Sequence, residues 1–213
     1  MVDPIIRHID PLAPSSSLVD HAVDVLEKGG LVVAPTETQY GLLTRADQAQ
    51  PVKRLYQLKE RSLNQPTAVF VGSIELMMHY ARLNPLATRL ARLFLPGPLT
   101  LVVSAIGTFP AGVVSEGKIG LRVSSSHVIQ GIMQRVDFPV SATSANISGE
   151  TTAARIDDIA LLFGDAIGLY LDAGALEQQV STVVDCSDER LIVLREGTVS
   201  LADLEAALKG TVQ

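Results

Sequence analysis

Amphipathic stretches with helical spacing alternate along the chain with short apolar runs. In residues 15–28, Leu18, Ala22 and Leu26 recur at helical spacing, and serines precede them. Serine side chains are good helix caps, and the glycine pair 29–30 is a typical helix end. This pattern predicts a helix over 15–28, followed by a buried strand over the apolar run 31–34.

The same two patterns continue to the end of the chain. Further helices are predicted to carry Val52, Leu55 and Tyr56 and end near Lys59, to start at Asn84-Pro85, and to start at Ser200. Further strands are predicted over 99–103, 119–123, 168–171, 182–185 and 191–194. Strands that alternate with helices are typical of an α/β fold rather than a bundle or a sandwich.

The turn-rich breaks between these elements are short and evenly spread. We find no internal repeat, no low-complexity linker and no change of composition that would mark a boundary. A length of 213 residues with 47% hydrophobic residues is enough for a substantial core and excludes intrinsic disorder. We therefore expect one domain spanning residues 1–213.

The charge balance excludes one class of nucleic-acid binder. The chain has 17 Lys and Arg against 23 Asp and Glu, a net charge of −6, and aromatic residues make up 4% with no Trp. A globally basic surface and a platform of base-stacking aromatics are therefore both excluded. A local cationic site remains open, because its field can differ in sign from the net charge.

Cysteine and histidine usage suggests neither a disulfide nor a zinc site. The single cysteine, Cys186, follows an apolar run and is expected to be a buried structural thiol. His8, His21, His79 and His127 lack companions at metal-ligand spacing, so surface or packing roles and no metal site are expected. No signal peptide and no membrane-length apolar run is evident, so a cytoplasmic protein with no membrane association is expected.

Three polar segments could carry chemistry. Residues 35–41 follow the first predicted strand, where α/β folds collect ligands, although a capped turn is the alternative. Residues 141–149 hold five hydroxyl or amide side chains with small spacers, which predicts a hydrogen-bonding loop. In 59–61, Lys59 and Arg61 would point to one side if the chain is extended there and could share a phosphate; a solvated charge run is the alternative.

Two more arginines, Arg122 and Arg195, end apolar strand runs and are further candidate anion ligands. With these residues included, the chain resembles the YrdC-like (YrdC/YciO) family, the threonylcarbamoyl-AMP synthases of tRNA modification. The matching segments are PTETQYGL (35–42), KER (59–61), PGPLTLVV (96–103), GLRV (120–123), SATSANISG (141–149), STVVD (181–185) and LREG (194–197). The order of these seven segments is the family's, and the chain resembles the short, single-domain form.

The resemblance implies a twisted mixed sheet with flanking helices and a concave cationic cleft. It implies an enzyme that joins L-threonine, bicarbonate and ATP, with Mg²⁺ carried in by ATP, into threonylcarbamoyl-AMP and pyrophosphate. Partner transferases would then pass the threonylcarbamoyl group to an adenosine of tRNA. The resemblance implies a catalytic tetrad of Lys59, Arg61, Ser144 and Asn146. It implies phosphate ligands at Arg61, Ser144 and Arg195, and threonine ligands at Thr38, Arg122 and Ser181.

Two departures from the family pattern leave an alternative open. Phe70 stands where the family has a histidine expected to contact threonine, and Ser126 stands in a segment that usually reads R-V-P-x-H-P. Both positions are expected to lie where amino-acid selectivity is set. The alternative is a non-catalytic or differently specific YciO-like paralogue that binds nucleotide and double-stranded RNA or tRNA. An α/β protein whose hydroxyl-rich loops are only capped turns is a third interpretation.

Overall fold

Twelve strands pair into one mixed sheet in the structure, a computed structural model that describes residues 3–209. The strands are β1 (Ile6–His8), β2 (Val32–Pro35), β3 (Tyr40–Leu43), β4 (Ala68–Phe70), β5 (Ala81–Arg82), β6 (Leu99–Ala105), β7 (Val114–Ser115), β8 (Lys118–Arg122), β9 (Val140–Ser144), β10 (Leu169–Asp172), β11 (Thr182–Asp185) and β12 (Ile192–Arg195). Their order across the sheet is β1-β10-β2-β3-β9-β4-β8-β6-β11-β12, with β5 paired to β6 and β7 to β8. The expected single-domain α/β fold with a twisted mixed sheet is confirmed.

Seven α-helices accompany the sheet within residues 3–209. They are α1 (Ser16–Glu27), α2 (Ala49–Leu58), α3 (Ile74–Tyr80), α4 (Pro85–Phe94), α5 (His127–Met133), α6 (Ile156–Phe163) and α7 (Leu201–Lys209). The four predicted helices are α1, α2, α4 and α7. Ser15 caps α1 by accepting from the Leu18 amide, and Asn84 caps α4 by accepting from the Ala87 amide, so both predicted caps are confirmed.

Two buried clusters lie on opposite faces of the sheet, because successive strand residues point to opposite sides. Val33 and Leu42 belong to the larger cluster, whereas Val32 and Leu43 belong to the smaller one. Helices α1 and α5 contribute their buried residues to the smaller cluster, and α2, α4 and α6 contribute theirs to the larger. Each face is thus covered by its own helices, with α1 and α5 packed together over the half of the sheet that holds β10 and β2.

The other half of that second face is not covered by α1 and α5. In β8, Ile119 and Leu121 belong to the larger core cluster, while Lys118, Gly120 and Arg122 point to the opposite side and line a cavity. Strands β4, β6 and β11 show the same alternation. The candidate site therefore lies on the part of the sheet that the helical layer leaves open.

The six predicted strands are present with ends within two residues of the expectation, as β2, β6, β8, β10, β11 and β12. The expectation of a loop over 141–149 is wrong in its first half, because Ser141 and Thr143 lie in β9. A polar central strand is stable here because the Ser141 hydroxyl accepts from the Thr44 amide at 2.9 Å and donates to the Leu42 carbonyl at 3.1 Å. The loop begins at Ala145.

Candidate active site

Two neighbouring cavities open on the uncovered face of the sheet. The first encloses about 430 Å³ and the second about 390 Å³. Both are lined by Gln39, Arg61, Ser144 and Arg195, which therefore stand where the two cavities meet. Volumes of this size are typical of small-molecule and cofactor sites.

Small side chains form the floor of the first cavity. Ala68, Thr100, Gly120 and Ala142 come from four neighbouring strands and all line it. A Cβ atom at Gly120 would lie 3.1 Å from the Ala68 Cβ and 3.4 Å from the Thr100 Cγ2, so a larger residue at Gly120 would crowd this floor. The cavity exists because these four strands carry small residues at the same point.

Lys59 is the C-terminal cap of α2, and its side chain lines the second cavity while only 1% of the residue is exposed. Its Nζ donates to the carbonyl oxygens of Ser144 and Asn146, the latter at 2.7 Å, and to the Asn146 Oδ1 at 3.1 Å. Three acceptors match the three donors of an ammonium group. Burial, and then the neighbouring charge of Arg61, lower the pKa of Lys59 to about 7.

Arg61 lies two residues beyond Lys59, the C-terminal cap of α2, and lines both cavities. Glu60 lies between the two cations with a φ of 50°, so the backbone turns there in the left-handed region and is not extended. The Arg61 guanidinium donates to the carbonyl oxygens of Gln65 and Pro66, both at 2.9 Å. Arg61 is thereby held at the junction of the cavities, and no carboxylate among residues 3–209 forms an ion pair with it.

The 144–150 loop is organised by one amide side chain. The Asn146 Oδ1 accepts from the Ser144 hydroxyl as well as from Lys59, and its Nδ2 donates to the Glu150 carbonyl. The Ser148 amide donates to the Lys59 carbonyl at 2.8 Å, which joins the loop to the end of α2. These bonds fix the Ser144 hydroxyl at the edge of both cavities.

Arg195 ends β12 and is held by the residue that precedes β11. Its guanidinium donates to the Ser181 carbonyl at 3.0 Å and to the Ser181 Oγ at 2.9 Å. Burial, followed by the charges of Arg122 and Arg61, lowers the pKa of Arg195. The charges of Arg122 and Arg61 thus disfavour the charged form of Arg195, and a bound anion would oppose this effect.

Arg122 differs from the other two arginines because it has a carboxylate partner. It is 5% exposed, and its Nη2 lies 2.8 Å from the Glu37 Oε1 and 3.5 Å from the Thr38 Oγ1. The Phe70 ring lies beside it, with its centroid 5.6 Å from the guanidinium carbon. The Arg122 end of the first cavity is therefore a neutralised, partly apolar environment.

A second ion pair lines the same cavity where β8 begins. The Lys118 Nζ lies 2.8 Å from the Asp185 Oδ2, and the Asp185 Oδ1 accepts from the amide and hydroxyl of Ser187. Burial acts to raise the pKa of Asp185, but the hydrogen bonds from Lys118 and Ser187 together lower it below its ordinary value. Among the described residues, two of the four cations that line the first cavity are thus paired with carboxylates, and Arg61 and Arg195 are not.

All eight predicted site residues line these cavities. The first is lined by Thr38, Arg61, Arg122, Ser144, Ser181 and Arg195, and the second by Lys59, Asn146, Arg61, Ser144 and Arg195. The structure thus places Arg61 and Arg195 at both cavities, Arg122 at the first and Lys59 at the second, and the roles expected of these residues stay a prediction.

Two details of the sequence interpretation are wrong. Lys59 and Arg61 do not share an extended segment, because Glu60 turns the chain and the Lys59 Nζ contacts carbonyl and amide oxygens of the 144–146 segment. Ser126 does not face the cavity as expected. It caps α5, accepting from the Ile129 amide and donating to the Pro35 carbonyl at 3.0 Å.

Sequence reasoning missed the two carboxylates that neutralise site cations, Glu37 and Asp185. Glu37 belongs to the polar segment 35–41, and Asp185 belongs to the STVVD segment, so both lie in segments that the sequence had already singled out. Lys118 could have been found from β8, where it alternates with Gly120 and Arg122. The pairing of these charges depends on strand neighbours far apart in the sequence.

The remaining sequence expectations concern residues away from the cavities. Cys186 is completely buried, and burial raises the pKa of its thiol to about 12, so a structural thiol is confirmed. His8, His79 and His127 are exposed and His21 is half-buried. Within residues 3–209, no three His, Cys, Asp or Glu side chains cluster as a metal site would require. None of the helices described in that range has the length and apolar character needed to cross a bilayer.

Comparison with known proteins identifies the relatives of this chain. A sequence profile of the Sua5/YciO/YrdC family, described as telomere recombination, matches residues 24–197. The chain belongs to the Sua5/YciO/YrdC family. A family member from Mycobacterium leprae, named putative threonylcarbamoyl-AMP synthase, is 35% identical over 190 residues, covering 88% of this chain and 86% of the relative.

Solved structures of the Sua5/YciO/YrdC family share the fold. The crystal structure of Pyrococcus abyssi Sua5 complexed with L-threonine gives a TM-score of 0.90 at 28% identity, over 96% of this chain. The present chain spans 61% of that longer protein. Escherichia coli YciO gives a TM-score of 0.83 at 24% identity, over 93% of this chain and 97% of YciO.

Proposed function

We propose that this chain is an L-threonylcarbamoyladenylate synthase, a nucleotidyltransferase that forms threonylcarbamoyl-AMP and pyrophosphate from L-threonine, bicarbonate and ATP. The observation that carries the proposal is the junction of the two cavities. Among the residues described, the guanidinium groups of Arg61 and Arg195 contact only uncharged oxygens there. Two cations without carboxylate partners at a cavity mouth are suited to bind a polyphosphate.

The chemistry of the proposed step explains the need for these cations. The amine of threonine first attacks bicarbonate, so that a C–N bond forms and water leaves, which gives a carbamate. A carbamate oxygen then attacks the α-phosphorus of ATP, a new O–P bond forms, and the bond to pyrophosphate breaks with its electron pair leaving on pyrophosphate. An anionic nucleophile thus approaches an anionic substrate. Arg61 and Arg195 would offset that repulsion and hold the phosphates in line, which is the main contribution an enzyme makes to phosphoryl transfer.

Lys59 and Asn146 would contribute to phosphate binding from the second cavity. The buried Lys59 adds positive charge beneath the 144–146 segment, and through Asn146 it orients the Ser144 hydroxyl. A hydroxyl at this place can donate to a phosphate oxygen without adding charge. The step needs no covalent nucleophile.

The Arg122 end of the first cavity is the proposed place of the amino acid. Arg122 would bind its carboxylate, and the hydroxyls of Thr38 and Ser181 would bind its polar groups. The complex of P. abyssi Sua5 with L-threonine supports this substrate class. The first cavity would then hold the threonylcarbamoyl-AMP product, and the second would release pyrophosphate.

Mg²⁺ would enter with ATP. Oxygen donors line the second cavity, including Ser148, Glu150 and Thr151, and oxygen is the ligand atom that Mg²⁺ prefers. When bound, the ion would neutralise phosphate charge. The product would serve partner transferases that modify an adenosine of tRNA, and the protein would act in the cytoplasm.

The deciding experiment is release of pyrophosphate from ATP with the full chain. We expect release that requires L-threonine and bicarbonate together, with threonylcarbamoyl-AMP detected by mass spectrometry. Folded protein that binds ATP but releases no pyrophosphate under these conditions would overturn the proposal. Running the assay with other amino acids would show whether threonine is the preferred one.

A second candidate function is favoured by Phe70, which places an apolar ring beside Arg122 where the family resemblance implies a histidine that contacts threonine. In that case the chain is a paralogue that binds double-stranded RNA or tRNA in the cationic cleft. Its affinity for RNA should then fall steeply as salt concentration rises. A weak affinity that does not change with salt counts against this function.

A further inference from the structure

The turn between β2 and β3 and the connection between β8 and α5 form one bonded unit beside the first cavity. Pro35, Glu37 and Thr38 each form at least one hydrogen bond with residues 122–126. These hydrogen bonds join residues that are 84 to 91 positions apart in the sequence. We call residues 35–38 the turn and residues 122–126 the connection.

Glu37 is the centre of this unit. Its Oε1 lies 2.8 Å from the Arg122 Nη2 and accepts from the Ser125 amide at 3.2 Å. Its Oε2 accepts from the Ser124 hydroxyl. The side chains of Arg122 and Glu37 are 6% and 13% exposed, so the pair is largely withdrawn from water.

The ion pair with Glu37, together with two further contacts, restricts the orientation of the Arg122 guanidinium. The Arg122 Nε faces the Gly97 carbonyl at 3.3 Å, and its Nη2 lies between Glu37 and the Thr38 Oγ1. Thr38 is itself held, because its hydroxyl lies 2.9 Å from the Thr36 hydroxyl. The two groups proposed to meet the amino acid are thus placed by a carboxylate that does not line the cavity.

We infer that Glu37 is a positioning residue for the amino-acid site, which holds the Arg122 guanidinium and the Thr38 hydroxyl in the orientation that binds an α-carboxylate. The inference rests on the proposed function. Removing one member of a largely buried ion pair leaves the other charge uncompensated, and it then moves toward other acceptors. Because a shift of about 1 Å in a positioning group can reduce catalysis by about 100-fold, the effect on the amino acid should be large.

Ser124 supplies a second side-chain contact that holds Glu37. Its hydroxyl donates to Glu37 and accepts from the Ser126 amide at 3.1 Å, and Ser124 is 2% exposed. The connection thereby offers Glu37 three donors, one from a cation, one from a hydroxyl and one from the backbone. A carboxylate with three donors has one preferred orientation, which is the property that a positioning residue needs.

The test separates affinity for the amino acid from affinity for ATP. Steady-state pyrophosphate release is measured for wild type, Glu37→Gln and Ser124→Ala, while each substrate is varied in turn. We expect Glu37→Gln to raise the KM for threonine at least 10-fold and Ser124→Ala to raise it several-fold, with the KM for ATP changed less than 2-fold. The matched control is Asp47→Asn, which removes the carboxylate partner of Arg45 in an ion pair that lines neither cavity and should change neither KM.

Calorimetric binding of threonine and ATP to the same proteins keeps the test decisive if turnover is slow. A merely structural role for Glu37 would lower the melting temperature and weaken both substrates together, and that result overturns the inference. Unchanged threonine binding in a folded Glu37→Gln variant also overturns it. If wild type itself neither binds threonine nor releases pyrophosphate, the proposed function fails instead, and the two failures are thereby distinguished.

Discussion

The Lys59 ammonium lies 2.7 Å from the Asn146 carbonyl oxygen, with the end of α2 and the loop after β9 joined through it. Methionine is close to lysine in length but donates no hydrogen bond, so Lys59→Met leaves the Ser144 and Asn146 carbonyls without this donor. We expect pyrophosphate release to fall at least 100-fold and the melting temperature to fall by several degrees. Lys53→Met, an exposed position on the same helix, is the control and should change neither. A Lys59→Met enzyme close to the wild-type rate would remove Lys59 from the site.

The buried lysine also predicts a pH dependence of stability. Burial lowers the pKa of Lys59 from its ordinary value of 10.5 to about 7 in the folded protein. Between these two values the unfolded chain binds more protons than the folded one, so the free energy of unfolding increases with pH, by at most about 1.4 kcal/mol per pH unit from this group. Below pH 7 both states are protonated and this dependence ends.

The measurement is denaturant unfolding of wild type and Lys59→Met at several values between pH 7 and pH 9. The difference between the two proteins isolates Lys59 from other titrating groups, such as Cys186, whose raised pKa lowers stability at higher pH. Wild type should gain stability relative to the variant as pH rises. A difference that does not change with pH means that Lys59 keeps an ordinary pKa in the fold.

Local signals explain why much of the fold could be predicted. Ser15 and Asn84 precede helices with clear apolar faces, so helix starts followed from cap chemistry. Buried strands such as β11 followed from short apolar runs. Elements without such a signal were missed: β4 has three residues, and α3 has seven with Met77 its only buried one. Short elements of this kind are fixed by the strands and helices packed around them.

The polar strand β9 shows the limit of composition. Hydroxyl-rich sequences favour turns because their side chains bond to nearby backbone. Here Ser141 bonds instead to Leu42 and Thr44 on the chain beside it, 97 to 99 residues away. No local pattern contains that partner, so the loop prediction was wrong over 141–144.

The candidate site was predictable in its membership but not in its electrostatics. The cations and hydroxyls could be named because they lie in short motifs at strand ends. Which cations are neutralised depends on contacts between Arg122 and Glu37 and between Lys118 and Asp185, which lie far apart in the sequence. The structure therefore adds which cations are paired with carboxylates, whereas the division into phosphate and threonine ligands stays a prediction of the family resemblance.

Gly120 tests whether the first cavity is the substrate site. Gly120→Val would place two methyl groups over a floor where even a Cβ would lie 3.1 Å from Ala68, so we expect loss of threonine-dependent pyrophosphate release. Gly131→Ala on α5 is the control, because its Cβ would make ordinary contacts of 3.4 Å with Val19 and alanine favours a helix. Circular dichroism checks that both variants fold. Full activity in a folded Gly120→Val protein would place the reaction elsewhere.

Cys186 should be dispensable for the reaction. Its thiol is completely buried with a pKa raised to about 12, so the reactive thiolate is scarce at pH 8. We expect iodoacetamide to label the folded protein far more slowly than the denatured protein. Cys186→Ala should keep the wild-type rate of pyrophosphate release while lowering the melting temperature, because a small cavity is left in the core. Rapid labelling of the native protein would contradict this role.

Phe70 should limit how well the chain distinguishes threonine from valine, which differ by a hydroxyl in place of a methyl group. The Phe70 ring is buried, lines the first cavity and lies beside Arg122. With an apolar wall, the kcat/KM values of two such isosteres differ by about 100-fold. In a site built to hydrogen-bond the hydroxyl they differ by about 10,000-fold or more. We therefore expect wild-type kcat/KM to favour threonine over valine by no more than about 200-fold.

The substitution Phe70→His supplies a hydrogen-bonding group at the same place and should increase that ratio at least 10-fold. The increase should come from a lower KM for threonine, because histidine can bind its hydroxyl while valine offers no partner. Phe138→Tyr, at a ring packed under Arg45 outside the cavity, is the control for aromatic substitution in the core. If wild type already separates the two amino acids by about 10,000-fold, other groups read the hydroxyl, and the Thr38 side chain is the first to test.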